Sequence, residues 1–410
     1  MKTILIALSA ISICFATCSK KLQKSATTDQ AQITETRKSS AAPSGKPDAK
    51  PTLEKPNSGH SAKNPSTAKK GNAMANNNVA IHFPEEVHLK NVQQLTFGGE
   101  NAEAYFSFDN KSLVLQKTDK ENGIECDRIY VGEIPAMGEK FQMKQVSNGK
   151  GRTTCSYFFK GDEKIIYAST HDHNVDCPPV PDRKVVKKYV WPIYDTYELY
   201  TANADGSNPK RLTNNNFYDA EATVSPDGKK IVYTSNKSGD LELYVMDIDG
   251  SNEIQVTSGM GYDGGAFFSP DSKQLVFRAS RPESQSEMLE YKELFAQNMV
   301  APTKMEIYVC DIDGSNLKKI TNLGNANWAP FFHPSGEKII FASNHQSDRG
   351  FPFNIYMINM DGNGLKKITH SDTFDAFPMF SPDGKKLVFA SNRNNGGTRD
   401  TNVFIADWVE

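Results

Sequence analysis

The sequence predicts an all-β protein, a six-bladed β-propeller built from four-stranded antiparallel blades. Three observations lead to this prediction. A turn phrase, Ser225-Pro226-Asp227-Gly228-Lys229, returns along the chain in similar form. The copies recur with a period of about 40 to 65 residues, which is typical of arrays of one supersecondary unit. Each repeat also carries short runs of β-branched and aromatic residues separated by turn residues, as strands do.

The copies of the turn phrase count the blades. Besides the copy at Ser225, clear or weaker copies begin at Ser107, Phe159, Ser269, His333 and Ser381. Aligned on their second residues, they are spaced by 52, 66, 44, 64 and 48 residues. Six repeats therefore predict six blades.

The repeat at 220–257 shows how one blade is built. A first strand leads into the Ser-Pro-Asp-Gly turn, in which Pro presets φ and Gly relieves strain. A second strand follows at 230–235 and a third at 241–246. The tight turn Asp247-Ile248-Asp249-Gly250-Ser251-Asn252 then leads to a short fourth strand. Four antiparallel strands per repeat are typical of a propeller blade.

The two chain ends complement each other. The last repeat ends after its third strand, 402–408, whereas the segment 87–96 precedes the first repeat and ends Gln94-Leu95-Thr96, much like Arg211-Leu212-Thr213. We therefore expect this N-terminal strand to complete the last blade and close the ring, which hides strand edges.

The Ser-Pro-Asp-Gly-Lys turns, the pattern Ile307-Tyr308-Val309-Cys310-Asp311-Ile312-Asp313-Gly314 and the Leu-Thr or Ile-Thr endings resemble a known family. They are similar to the TolB-like, WD-repeat-like propeller repeats of bacterial envelope proteins, over residues 87–410. The resemblance implies protein–protein interaction in the periplasm or at the outer membrane, with an envelope protein as partner. TolB itself has a separate domain ahead of its propeller, where this chain has only a predicted tether, so we expect a stand-alone, monomeric relative.

Residues 1–18 are predicted to be a signal peptide. Lys2 is followed by an apolar run, 4–15, that is too short to span a bilayer, and small residues precede Cys18. The pattern resembles a bacterial lipoprotein signal, which implies lipidation of Cys18 and a membrane anchor. Phe15 and Thr17 depart from the usual lipoprotein pattern, so cleavage by an ordinary signal peptidase is the alternative.

Residues 19–80 are predicted to be a disordered basic tether. They are rich in Ser, Thr, Ala, Pro, Asn and Lys, with no aromatic residue, and cannot bury enough apolar surface to fold. They hold eleven basic and four acidic residues, whereas 81–410 hold 35 basic and 45 acidic ones. A basic tether suits an anionic membrane surface, and a merely soluble spacer is the alternative. The acidic propeller argues against a nucleic-acid partner.

Beyond the signal, four cysteines remain besides Cys18. These are Cys126, Cys155, Cys177 and Cys310. An exported chain can form disulfides, and we expect Cys155 to pair with Cys177, although sequence alone does not determine connectivity.

Function is expected on the face away from the repeated turns. The near-identical Ser-Pro-Asp-Gly and Asp-x-Asp-Gly turns share one face and are interpreted as structural. The Asp-x-Asp-Gly turn resembles a calcium loop but lacks the downstream Glu.

The opposite face carries two long insertions, 170–196 and 281–304. The first contains Trp191 among prolines, as a recognition loop would. The second begins with a capping box at Ser284 and Glu287, which predicts a short helix through Met288, Tyr291, Phe295 and Met299 that packs on the propeller or, alternatively, faces a partner.

Two columns of residues lie on that face. The residues of the first column lie seven positions before each aligned turn position, and those of the second lie eleven positions after it. The two columns should be neighbours across a hairpin. This predicts three ion pairs within blades: Asp219 with Lys237, Asp263 with Arg281, and Asp375 with Arg393. The same pattern leaves His171, His345, Glu103 and Glu221 without an opposite partner. His173 adds a second imidazole beside His171, so a divalent metal is a hypothesis without a third ligand set by spacing.

The sequence favours a binding protein over an enzyme. It contains no nucleophile elbow, zinc-protease helix or phosphate loop, and we expect no cofactor. The first hypothesis is a non-catalytic interaction platform that binds an envelope protein, or a cell-envelope glycan, through its loop-rich face. The alternative is a metal-dependent hydrolase or lyase with its site on that face, at His171, His173, His345 and Glu221. A third possibility is a sensor domain that serves a peptidase.

Overall fold

The computed structural model describes residues 81–348 and 350–410, without the side chain of Arg183. The predicted signal peptide, the lipidation site Cys18 and the predicted tether lie outside the described residues. Among those residues, no helix has the length and apolar character needed to cross a membrane.

Six four-stranded antiparallel sheets form the six blades, as predicted. The first three blades contain β2 to β5 (Glu100–Phe106, Ser112–Asp119, Ile124–Glu133, Gln142–Gln145), β6, β7, β9 and β10 (Thr153–Phe158, Lys164–Ser169, Glu198–Asn203, Lys210–Arg211), and β11 to β14 (Asp219–Val224, Lys230–Ser235, Glu242–Asp247, Ile254–Gln255).

The other three blades have the same construction. They contain β15, β16, β18 and β19 (Asp263–Phe268, Gln274–Ala279, Glu306–Asp311, Lys318–Lys319), β20 to β23 (Asn327–Phe332, Lys338–Ser343, Asn354–Asn359, Lys366–Lys367), and β24 to β26 (Asp375–Phe380, Lys386–Ser391, Asn402–Trp408) with β1 (Leu89–Gln94). The N-terminal β1 is the fourth strand of the sixth sheet, and Leu89 pairs with Trp408.

Five shorter elements lie in connections between strands. The two insertions contain β8 (Trp191–Pro192), β17 (Met299–Val300), α1 (Arg183–Val186) and α2 (Gln285–Phe295), and a 3-10 turn at Lys120–Asn122 follows β3.

An aromatic pair recurs in the core of five blades. The middle of each second strand carries a buried aromatic residue that packs on one in the paired third strand. The pairs are Tyr167–Tyr200, Tyr233–Tyr244, Phe277–Tyr308, Phe341–Tyr356 and Phe389–Phe404, with ring centroids 5.7 to 6.1 Å apart. Such cross-strand pairs stabilise a sheet, and they recur at the same place in these five blades.

The repeated turns are bound to their own backbone. The Ser225 hydroxyl donates to Asp227 (2.6 Å) and accepts from the Lys230 amide (2.9 Å), and Asp227 accepts from the Lys229 amide at 3.1 Å. The Gly228 φ of +75° suits glycine. The Asp247 and Asp249 carboxylates likewise bind Asn252 and Ser251 of their own turn. The polar side chains of both repeated turns therefore stabilise the turns themselves. Both turns lie on the face opposite the insertions.

Candidate functional site

The two insertions join into one feature, which we call the strap (170–196 and 281–304). Strand β8 of the first insertion pairs with β17 of the second, so that Trp191 lies opposite Val300. The Ile193 amide also donates to the Asn298 carbonyl at 2.7 Å, and the Lys188 ammonium forms an ion pair with Glu290 of α2. The strap therefore bridges blades two and four on the loop-rich face.

Helix α2 begins with the predicted capping box. The Ser284 hydroxyl accepts from the Glu287 amide at 3.2 Å, and the Glu287 carboxylate accepts from the Ser284 amide at 3.1 Å. Tyr291 donates to the Asp240 carboxylate, and Tyr291 and Phe295 pack against the core. The helix thus packs on the propeller. It ends at Phe295, so the predicted member Met299 lies beyond it, in β17.

Trp191 lies in the strap above the central channel. Its ring is 5.3 Å from Trp328 and 6.1 Å from Tyr262, and the Arg278 guanidinium lies 5.0 Å from its centroid. The predicted recognition residue is therefore half-buried and holds the strap onto the inner strands. The solvent side of the strap carries a groove of about 590 Å³, lined by apolar residues that include Val180, Val185 and Met299.

The innermost strand of each blade lines the channel, and one residue in each of these strands has an unusual backbone conformation. A register shift in every innermost strand leaves one residue with a φ between +46° and +60°, a left-handed conformation that is uncommon outside glycine. We call these residues the channel ring: Glu103, Cys155, Glu221, Gly265, Ala329 and Phe377. Glu103 and Glu221, which the sequence pattern left unpaired, are both members.

Glu221 has partners that the sequence did not reveal. It accepts from Arg278 (2.8 Å), from the Gly265 amide (2.6 Å), from Thr234 (3.0 Å) and from the Tyr262 hydroxyl. Arg278 extends across Gly265, where a Cβ would lie 1.8 Å from its Nη1 atom, so a side chain there would displace the guanidinium. The Glu221–Arg278 pair therefore joins blades three and four inside the channel.

Glu103 forms no ion pair among the described residues, and its carboxylate is hydrogen-bonded to the Cys155 thiol. Its Oε2 atom is buried and has no hydrogen-bond partner among the described residues, although the residue as a whole is partly exposed. Burial raises the pKa of the Glu103 carboxyl to about 7, and the nearby Cys155 thiol and Arg278 oppose that rise. Burial also raises the pKa of the Cys155 thiol, so this cysteine is protonated at neutral pH.

Two of the three predicted ion pairs are present. Arg281 binds Asp263, with 2.7 Å between Nη2 and Oδ2, and Arg393 binds Asp375 at 2.8 Å. Arg393 also binds the buried Glu86, with 2.9 Å between Nη2 and Oε1.

The third predicted pair, Asp219 with Lys237, is wrong. The Lys237 ammonium binds Glu253 at 2.5 Å and lies 3.9 Å above the Tyr244 ring, while Asp219 accepts from Asn215 at 2.8 Å. A carboxylate just ahead of the outer fourth strand therefore binds the ammonium. Burial raises the pKa of the Asp219 carboxyl, which has no ammonium partner among the described residues.

The candidate histidines have structural partners. His171 lies 2.7 Å from the Ser169 hydroxyl and packs on Tyr200, and His345 lies 2.9 Å from Ser343 and packs on Tyr356. Burial lowers the pKa of both imidazoles, so both are neutral at neutral pH.

The structure does not gather the predicted histidines into a metal site. His171 and His345 belong to blades two and five, on opposite sides of the ring, and His173 is exposed. Within residues 81–348 and 350–410, no group of three or more His, Cys, Asp or Glu side chains could hold a metal ion. The geometry gives the metal-dependent hydrolase or lyase alternative no support.

The expected Cys155–Cys177 disulfide is wrong. Cys177 pairs with Cys126 of β4, with the Cα atoms 6.0 Å apart, and Cys155 is free. The first insertion folds back over the seam between blades one and two, where the Val175 carbonyl accepts from the Gly151 amide at 2.7 Å. The bulge in β6 meanwhile turns Cys155 into the channel, away from the insertion.

A comparison with protein families identifies the repeat. The sequence model of the family described as TolB beta propeller domain matches residues 190–300 and 295–399, together just over half of the chain. No curated protein matches the chain.

Solved structures with a similar fold include a putative TolB from Agrobacterium tumefaciens (18% identity, 76% of this chain and 91% of that one, TM-score 0.47). They also include TolB from Acinetobacter baumannii (17% identity, 75% of this chain and 63% of that one, TM-score 0.46). An oligogalacturonate lyase in complex with manganese has 12% identity over 78% of this chain and 93% of that one, with a TM-score of 0.42. On the evidence of the matching family model and its six repeated blades, the chain belongs to the TolB beta propeller domain family.

Proposed function

We propose that the protein is an exported, membrane-anchored propeller that binds an envelope protein through the strap face, without catalysis of its own. Family membership supports a protein-interaction role in the envelope at the level of the family. We assign binding to the strap face because two separate insertions join there into one strap. Irregular segments on a rigid scaffold are where binding usually resides.

The distribution of exposed apolar side chains supports the same face. Fourteen large apolar residues are well exposed among those described, and eight of them lie in the strap or the loops beside it. These eight are Phe97, Val175, Val180, Val185, Tyr189, Phe217, Leu289 and Phe351. Clustered exposed apolar residues are typical of interaction surfaces. The opposite face is made of turns whose polar side chains are bound to their own backbone.

Export and anchoring are parts of the same proposal. The Cys126–Cys177 disulfide suits an oxidising compartment outside the cytosol. Cys18 is the proposed lipid attachment site. Cys18→Ser should release the protein from membranes into the soluble fraction, and unchanged membrane fractionation would refute the anchor.

Site-specific photo-crosslinking in intact cells tests the binding face. A photoreactive residue replaces Val185, which is 75% exposed in the strap, or, as a control, Leu317, which is 52% exposed on the opposite face. We expect a discrete adduct with one envelope protein from position 185 and none from position 317. Adducts from 317 alone, or the same adduct from both positions, would contradict the proposal.

A further inference from the structure

The channel ring has two unlike halves. Glu103, Cys155 and Glu221 of blades one to three are polar, whereas Ala329 and Phe377 of blades five and six are apolar. Between the halves, Gly265 leaves room for the Arg278 guanidinium. Because all six positions share one bulged backbone conformation, the five side chains other than at Gly265 face the same part of the channel.

An aromatic layer lies between the channel ring and the face of the repeated turns. Two residues after the ring, the innermost strands carry Tyr105, Tyr157, Phe267 and Phe331. The Tyr105 and Phe267 rings are 5.3 Å apart, and Phe267 and Phe331 are 5.1 Å apart. The channel ring therefore lies on the strap side of these rings.

The apolar half is continuous with aromatic residues under the strap. The rings of Trp191 and Trp328 are 5.3 Å apart, Trp328 stacks on Phe353 at 4.4 Å, and Phe374 lies 5.6 Å from Phe353 and 6.4 Å from Phe377. Phe377 of the channel ring thus belongs to a series of aromatic residues that reaches Trp191. The faces of aromatic rings attract cations.

The charges in the ring also favour a cation. Arg278 is neutralised by Glu221 at 2.8 Å, so the Glu103 carboxylate, when ionised, is the uncompensated charge. A buried polar atom without a partner is costly and calls for an explanation such as a bound ligand. A positively charged hydrogen-bond donor would form a hydrogen bond to Oε2 and also neutralise the charge of the Glu103 carboxylate.

We propose that the channel ring is a binding site for a small organic cation with a primary ammonium group, with Glu103 as its counter-ion and Phe377 in its apolar wall. This site is separate from the protein-binding surface of the strap. The groups that face or influence Glu103 are Tyr105 on its own strand, Asp127 of β4, Cys155 of β6, Glu221 of β11 and Arg278 of β16. Of these, Arg278 is the cation, and Glu221 is already paired with it.

Calorimetric titration of the full mature protein with n-butylammonium at pH 8 tests the proposal. We expect saturable binding that n-butanol, its uncharged counterpart, does not reproduce. Glu103→Gln should weaken binding at least tenfold, whereas the matched Glu133→Gln, at the exposed end of β4 in the same blade, should leave it unchanged. Binding should also weaken from pH 8 to pH 6, because Glu103 then takes up a proton and loses its charge.

Phe377→Ala keeps the Glu103 carboxylate and is expected to weaken n-butylammonium binding several-fold. This variant tests the proposed site if Glu103→Gln does not fold. The proposal is overturned if n-butylammonium shows no saturable binding at pH 8, if Glu103→Gln binds it as tightly as the wild type, or if n-butanol binds equally well. A carboxylate that holds only an ordered water would give the first of these results.

Discussion

Trp191 and Val300 lie opposite each other in a two-stranded antiparallel pair, although they belong to insertions in blades two and four. This pairing makes the strap a single surface. Its stability depends on the Trp191 side chain, which packs against Trp328 and Arg278 beneath.

Trp191→Ala should loosen the strap. Removing a half-buried indole costs packing against Trp328, so we expect the free energy of unfolding to fall by about 1–3 kcal/mol, less than for a fully buried tryptophan. Limited proteolysis should cut within 170–196 faster than in the wild type. Phe217→Ala, an exposed aromatic residue beside the strap, is the control and should change neither measurement.

Arg393→Ala should be the most destabilising of the ion-pair variants. Arg393 is buried and binds both Glu86 and Asp375, so its removal leaves two buried carboxylates without a cation. We expect a loss of about 3–5 kcal/mol in chemical denaturation. Lys229→Ala is the control, because its pair with Asp227 is exposed and should contribute about 0–0.5 kcal/mol. Equal losses in the two variants would be inconsistent with a buried Arg393 pair.

The stability of the protein should depend on the protonation of Glu103. Burial raises its folded pKa to about 7 from a reference value of 4.5, so the folded state binds the proton more tightly than the unfolded state. The folded protein should therefore be more stable at pH 4.5 than at pH 7 by up to about 3 kcal/mol from this group, with the loss complete above the folded pKa.

Comparing Glu103→Gln with the wild type from pH 5 to 8 isolates that effect. Glu242, whose pKa is raised to about 8 by burial and by neighbouring Asp263, adds a slope of the same sign to both proteins. The difference in unfolding free energy between variant and wild type should grow in favour of the variant as pH rises. Parallel pH profiles would show that Glu103 is ionised normally.

Peptide mapping without reductant should recover a Cys126–Cys177 cross-linked peptide and leave Cys155 and Cys310 open to alkylation after unfolding. Cys177→Ser should lower the free energy of unfolding by about 2–4 kcal/mol, because the bond closes a long loop. Reduced wild-type protein should match the variant. A Cys155–Cys177 peptide would contradict the structure.

The blade architecture could be predicted because local turn chemistry repeats it. The Ser225–Asp227 contacts need only neighbouring residues, so each copy marks one blade. The Asp263–Arg281 pair could also be predicted, since both residues flank one hairpin whose register is fixed by its turn.

Other features depend on contacts between blades. Strands β8 and β17 have two residues each, too few for a periodic signal, so their pairing could not be predicted. The Glu221–Arg278 pair joins neighbouring blades through a bulge that sequence periodicity does not mark. Cys126 meets Cys177 because the first insertion folds back, and sequence spacing does not encode that direction.

The most direct test of the strap as the partner surface is the affinity of the full mature protein for the partner identified by crosslinking at position 185. Val180→Asp places a charge at the strap groove, and Leu317→Asp places the same charge on the opposite face. We predict that Val180→Asp weakens binding at least tenfold, about 1.4 kcal/mol, and that Leu317→Asp leaves it unchanged. Unchanged affinity in Val180→Asp together with a loss in Leu317→Asp would contradict the account.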